Sequence, residues 1–199
     1  GKCLAEGGNE EAVFALYREA VTVRPDLWRI LMLAAERFCK LKRWQEAIDV
    51  LNTHSGHRVN TIGCARILAD ASVALGISDT FLRAPDSVLG NNPVAGCIAA
   101  GAAILLGRYE DSVGILARLS SEGYWLGRGG HGALPVEGHE AQLSDAASRW
   151  LQANSSHPGR FLVKSVKVCS EGADLNAIES ILREAADALP DNYGALYEL

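Results

Sequence analysis

Five cysteines, at positions 3, 39, 64, 97 and 169, are the side chains best suited to redox or metal chemistry in this chain. No two of them form a Cys-x-x-Cys pair, the spacing that zinc ribbons and thioredoxin-like centres require. Cys39, Cys64, Cys97 and Cys169 each fall in apolar helical patterns, where cysteine packs as a small hydrophobe. An odd, scattered set of thiols fits a reducing compartment, so a cytoplasmic location is expected. His131, Glu137, His139 and Glu140 form a second possible ligand set, but their spacing matches no His-x-x-x-His pair and reads as a polar loop. Gly127-x-Gly129-x-x-Gly132 copies the dinucleotide-binding fingerprint, yet no apolar strand precedes it and Pro135 interrupts the helix that should follow. Gly-x-Ser-x-Gly, the P-loop and His-Glu-x-x-His are all absent. Glu10-Glu11 and Glu110-Asp111 sit at helix starts, where carboxylates favour the helix dipole. His54 and His57 flank Gly56 in a turn and read as solvated. The expectation is a protein without catalytic residues, metal or cofactor.

What must position any site is then a question of architecture. The chain has 199 residues, 48% of them hydrophobic, with 19 basic against 24 acidic side chains, a net charge of −5. That is apolar enough for a packed core and unlike a disordered chain. No run approaches the roughly 18 apolar residues of a membrane helix, Gly1-Lys2-Cys3 leading into amphipathic sequence gives no expectation of a secretory leader, and the acidic balance argues against nucleic-acid binding. Charge is uneven: residues 1–60 carry nine basic and eight acidic side chains, so a basic contact surface is expected near the N-terminal part.

A period of about 34 runs through the sequence. Pro25 and Pro93 are 68 residues apart, as are Gly8 and Gly76, with Lys42 midway between those glycines; Ala35 and Ala69 are 34 apart. Each glycine falls where one helical pattern stops and the next starts. The clearest copy covers residues 28–53. Leu31, Ala34, Ala35 and Phe38 share one face of a first helix, Lys40 to Arg43 make a basic helix end and turn, and Ala47, Ile48 and Leu51 line a second helix. In this order of large, small, small, aromatic, small and large residues, the copy resembles a tetratricopeptide repeat. The small residues let two antiparallel helices approach closely.

Weaker copies flank it. Val13, Tyr17 and Ala20 before Pro25 look like the second helix of a preceding repeat. Ala65, Leu68, Ala69 and Ser72 make a first helix ending at Gly76, but Pro85 predicts a shortened, kinked or late second helix. Asn92-Pro93 starts another copy with Gly96, Ala99, Ala100 and Ala103, turning at Gly107 into Ser112, Leu116 and Leu119. His157-Pro158 starts the last, with Leu162, Val166 and Cys169, then Gly172, then Ile178, Leu182 and Ala185 before Pro190. Residues 192–199 read as the start of a further helix, so the chain looks like a piece of a longer array. Residues 120–140 break the period, with six of the twenty glycines and the aromatic pair Tyr124-Trp125, and a short helix is expected over 145–153. That loop either plugs the adjacent repeat surface or contributes to a binding groove.

The resemblance implies an all-α fold: a right-handed superhelical solenoid of antiparallel helix pairs with an irregular Gly-rich insertion. The repeats would occupy 1–120 and 157–199, the insertion and its helix 121–156. It further implies a concave surface lined by the first helices that binds a peptide or partner helix. On that geometry Arg29, Met32, Glu36 and Lys40 would line it, then Arg66 and Asp70, then Val94, Cys97 and Ile104, then Arg160, Val163 and Lys167. Met32, Cys97 and Ile104 would supply the apolar centre, while Arg29, Arg66 and Arg160 meet acidic groups. A two-carboxylate clamp for chaperone tails is disfavoured, because Arg66 and Asp70 come without a matching Asn. The function expected is a non-enzymatic protein-interaction scaffold or assembly subunit. Alternatives are an accessory helical region of a larger enzyme, such as a glycosyltransferase or sulfotransferase, and self-association through the solenoid ends.

Overall fold

Small residues at the helix contacts set the packing. The computed structural model describes residues 10–23, 28–52, 62–83, 93–121, 134–172 and 175–188. Among them are ten helices and no strand: α1 (Glu10–Val23), α2 (Trp28–Lys40), α3 (Trp44–Asn52), α4 (Ile62–Ala74), α5 (Ser78–Leu82), α6 (Pro93–Leu105), α7 (Tyr109–Ser121), α8 (Glu140–Ala153), α9 (Arg160–Ser170) and α10 (Leu175–Ala188). Each of the first four packs on its successor, α2 also packs on α4, and α4 on α6, so alternate helices touch as well as consecutive ones. None is long and apolar enough to cross a membrane.

Four helix ends share one geometry. Lys42, Gly76, Gly107 and Gly172 all adopt positive φ, between 59° and 72°. After α2, the Lys42 amide donates to the Cys39 carbonyl and the Arg43 amide to the Phe38 carbonyl; Gly76 and Ile77 repeat this on Val73 and Ser72, and Gly107 and Arg108 on Ile104 and Ala103. This pair of bonds satisfies carbonyls that the helix end would otherwise leave orphaned. The 34-residue spacing from Lys42 to Gly76 is therefore a repeated physical event, with a lysine in the position that usually takes glycine.

Leu31, Ala34, Ala35, Phe38 and Ala47 are all fully buried, as their repeat positions predict, and Leu51 is half-buried. Phe14 of α1 packs on Phe38 with ring centroids 5.0 Å apart, and the Arg43 guanidinium lies 4.1 Å above the Phe14 ring. Ile67 of α4 completes this N-terminal core cluster, while Ala65 of the same helix joins a larger cluster spanning α6, α7, α8 and α9. One helix thus serves two cores, which makes the apolar interior a seam along the chain. The helix expected to be weak, α5, is only five residues long, and Pro85 lies outside the described residues.

The largest departure is α8. A helix over 145–153 was expected as an appendage of the insertion. Instead it starts at Glu140 and is an integral layer, with Leu143, Ala146 and Ala147 buried against α7 and α9. Its sequence hides this because its first turn, Glu140-Ala-Gln, is polar and exposed. Arg149 on α8 pairs with Glu110 on α7, and Ser144 donates to Glu171 after α9, so its outer face is also tied across.

Ser112 occupies in α7 the place that Ala47 holds in α3, three residues into the helix. It is fully buried, and its Oγ has no hydrogen-bond partner. An unmet buried hydroxyl costs about 1–3 kcal/mol. Ser112→Ala is therefore expected to raise unfolding stability by about 1 kcal/mol, read as a higher urea midpoint at unchanged slope; a lower midpoint would show that the hydroxyl has a partner in solution.

Candidate partner-binding face

On α2 the residues left facing outward are Leu33, Glu36 and Lys40, with Arg37 half-buried among them. Spacings of three and four place them on one stripe. Leu33 is 54% exposed, a large apolar side chain in a charged surround. Toward α4 lie Met32 and Cys39, both half-buried, with Asp70 of α4 near Cys39 and Arg66 next to Asp70. The Cys64 thiol of α4 lies 3.1 Å from the Met32 sulfur, which fixes the thioether at the α2–α4 seam.

Charge on this face is arranged by burial. Asp70 is half-buried, and desolvation pushes its carboxyl above the usual carboxylate range while neighbouring Arg66 pulls it down. Burial, with Asp70 and then Glu36 adding negative charge, pushes the Cys39 thiol up to about 11. Cys64 and Cys97 are pushed up to about 12 by burial alone, and burial also raises Cys169. Cys64 is buried and Cys39 half-buried, and both pack at the α2–α4 seam as small hydrophobes. Cys3 lies outside the described residues.

Of the twelve residues marked by the resemblance, Val94 is half-buried against the main core cluster, and the others separate sharply. Glu36 and Asp70 come together around Cys39, Arg66 neighbours Asp70, Met32 meets Cys64 at the α2–α4 seam, and Lys40 is exposed at the end of α2. Arg29 lies in the first turn of α2, its side chain outside the described set. Cys97 and Ile104 are 0% exposed and belong to the core, so they cannot present an apolar centre to a partner. The reason is that α6 is covered on every side: residues 96–104 are buried throughout, with α4, α5 and α7 packed against the helix. An all-round apolar helix is a buried one, and a stripe of α6 read as groove was core. Val163 is buried too. Arg160 lays its guanidinium 4.1 Å from the Phe161 ring, and Lys167 donates to Glu171 at 2.6 Å within its own helix end. These two cations are engaged locally and stand apart from the α2–α4 face. Tyr124 and Trp125 lie outside the described residues, as do His54, His57 and His131.

Of the described residues before α8, His139 and Glu137 have ordinary partners. His139 Nδ1 is 3.0 Å from the Tyr109 hydroxyl, and Glu137 reaches the Arg66 guanidinium at 3.9 Å. Among the described residues no three metal-ligating side chains converge. The residues that sequence reasoning missed are Leu33 and Arg37. The 3–4 spacing from Leu33 to Lys40 was visible, but Leu33 reads as a core leucine beside Leu31 until the helix orientation is known. Compared with known proteins, the chain matches no family model, no curated protein and no solved structure.

Proposed function

We propose that this chain is a non-enzymatic interaction scaffold of tetratricopeptide-like helix pairs, stacked as a right-handed superhelix. It captures a segment of a protein partner on the face formed by α2 and α4. The observation that carries this reading is the recurrence of one left-handed helix end at Lys42, Gly76, Gly107 and Gly172, combined with the packing of α2 on α4 and α4 on α6. Stacked pairs of this kind leave a continuous face of alternate helices. On that face Leu33 and Met32 would seat an apolar side chain of the partner, and Lys40 and Arg66 would meet its acidic groups.

The partner is to be isolated with the full chain and then titrated against it. The double reversal K40E/R66E is expected to weaken capture at least tenfold and to flatten its salt dependence, since both residues are exposed and their loss leaves the core intact. Unchanged affinity would remove the α2–α4 face from the reading.

A further inference from the structure

We infer that residues 134–137 of the chain are an internal occupant of the repeat surface next to that face, holding on α4 and α6 the place that a partner's apolar–Pro–apolar–acidic turn would take. The inference rests on the scaffold reading above and extends it by naming the chemistry of the ligand. On α6, Cys97, Gly101 and Ile104 follow at spacings of four and three and form one stripe, which Ala69 of α4 meets at Gly101; Arg66, three residues before Ala69, is exposed on the outer side of α4. The short segment lies across both. A Cβ built on Gly101 would stand 3.3 Å from Pro135 Cδ and 2.9 Å from Ala69 Cβ, so α4, α6 and the proline meet at a point where only hydrogen fits.

The four residues bind as a ligand would. Leu134 is 2% exposed within the main core cluster, and Val136 packs on the same cluster. Pro135 is buried and has no amide hydrogen, so it can press on an apolar helix face without stranding a donor. Glu137 supplies the charge that Arg66 accepts. The backbone is folded locally, with the Val136 amide donating to the Leu134 carbonyl and the His139 amide to the Val136 carbonyl, both at 2.9 Å. None of these backbone bonds reaches α4 or α6. The segment is thus held to the repeats by side-chain packing and one exposed ion pair of little strength, which is how a displaceable occupant differs from a helix of the stack.

Two measurements test this without any partner. In the wild-type full chain, the Val136 and His139 amides are expected to exchange with solvent at least tenfold faster than the Leu116 and Val166 amides, through an opening that leaves α6–α9 intact. Exchange of all four at the global unfolding rate would overturn the inference, because the segment would then be an inseparable part of the core. Second, the variant L134S/P135G is titrated with a labelled synthetic peptide Ala-Leu-Pro-Val-Glu-Gly. The variant is expected to bind at least tenfold tighter than wild type, and R66E added to it is expected to abolish the gain. Equal binding by both, or none by a variant with wild-type helical circular dichroism, would overturn the inference. If the variant loses its helical signal, the wild-type exchange experiment decides alone. Failure here leaves capture at Lys40 and Arg66 standing, and because amide exchange and the peptide gain read the segment directly, the two failures are distinguishable.

Discussion

Phe38→Ala is expected to destabilise the chain by about 3–5 kcal/mol, the usual range for deleting a fully buried aromatic side chain. Single domains have only about 5–15 kcal/mol in total. Phe38 has no exposed surface and holds together α1, through Phe14, α3, through Ala47, and α4, through Ile67. Its loss also loosens the seat of Phe14, over which Arg43 lies while binding Glu46 at 2.9 Å. The damage should be local. Core clusters in a stack interact through neighbours, so one end can melt while the other persists. Hydrogen exchange is expected to show lost protection over α1–α3, with the amides of Ile104, Leu116 and Leu162 nearly unchanged. Uniform loss along the chain would mean that the whole molecule unfolds as a single unit, against the stacked reading.

Why the N-terminal repeat was so legible in the sequence follows from the same residues. Leu31, Ala34, Ala35, Phe38 and Ala47 face one neighbour on each side, so helical spacing alone predicts their burial, and all five are buried. The turn residues were equally visible, since a glycine or its lysine stand-in marks each left-handed helix end. Legibility failed where a helix has more neighbours than the repeat supplies. Cys97 and Ile104 sit on α6, which α4, α5 and α7 pack against and which Pro135, brought in from more than thirty residues away, meets at Gly101. A local pattern carries no record of such a visitor. The same cause hides α8, whose burial is set by α7 and α9 on either side.

The candidate face was legible only in part, for a related reason. Arg66, Asp70, Glu36 and Lys40 were found because charged residues at spacings of three and four must lie outward. Arg160 and Lys167 obey the same rule, yet are engaged with Phe161 and Glu171, as Arg66 is more loosely with Glu137 at 3.9 Å. Spacing identifies an outward residue, whereas local partners decide whether it is available.

The second large effect turns on the sign of one substitution made at two glycines. Gly114→Ala, in the middle of α7, is expected to stabilise the chain by about 0.5–1 kcal/mol. Its Cβ would meet nothing within 4 Å, and alanine loses less backbone freedom than glycine on entering a helix. Gly159→Ala, at the N-terminal end of α9, should do the opposite by about 2–4 kcal/mol, though its φ of −68° suits alanine equally well. There a Cβ would stand 2.1 Å from the Ala117 carbonyl oxygen and 2.7 Å from its carbon. Both are backbone atoms of α7, so relief requires one whole helix to move from the other; overpacking of that kind costs about 1–3 kcal/mol, occasionally more. The displacement would also disturb the first bond of α9, from the Val163 amide to the Gly159 carbonyl, and the bond from the Gly159 amide to His157 Nδ1. Propensity predicts the same sign at both positions, and packing predicts opposite signs. Urea midpoints for the two variants decide between them: a stabilised Gly159→Ala would mean that α7 and α9 are not in backbone contact. That would leave α8 as the helix that joins α9 to the rest of the molecule.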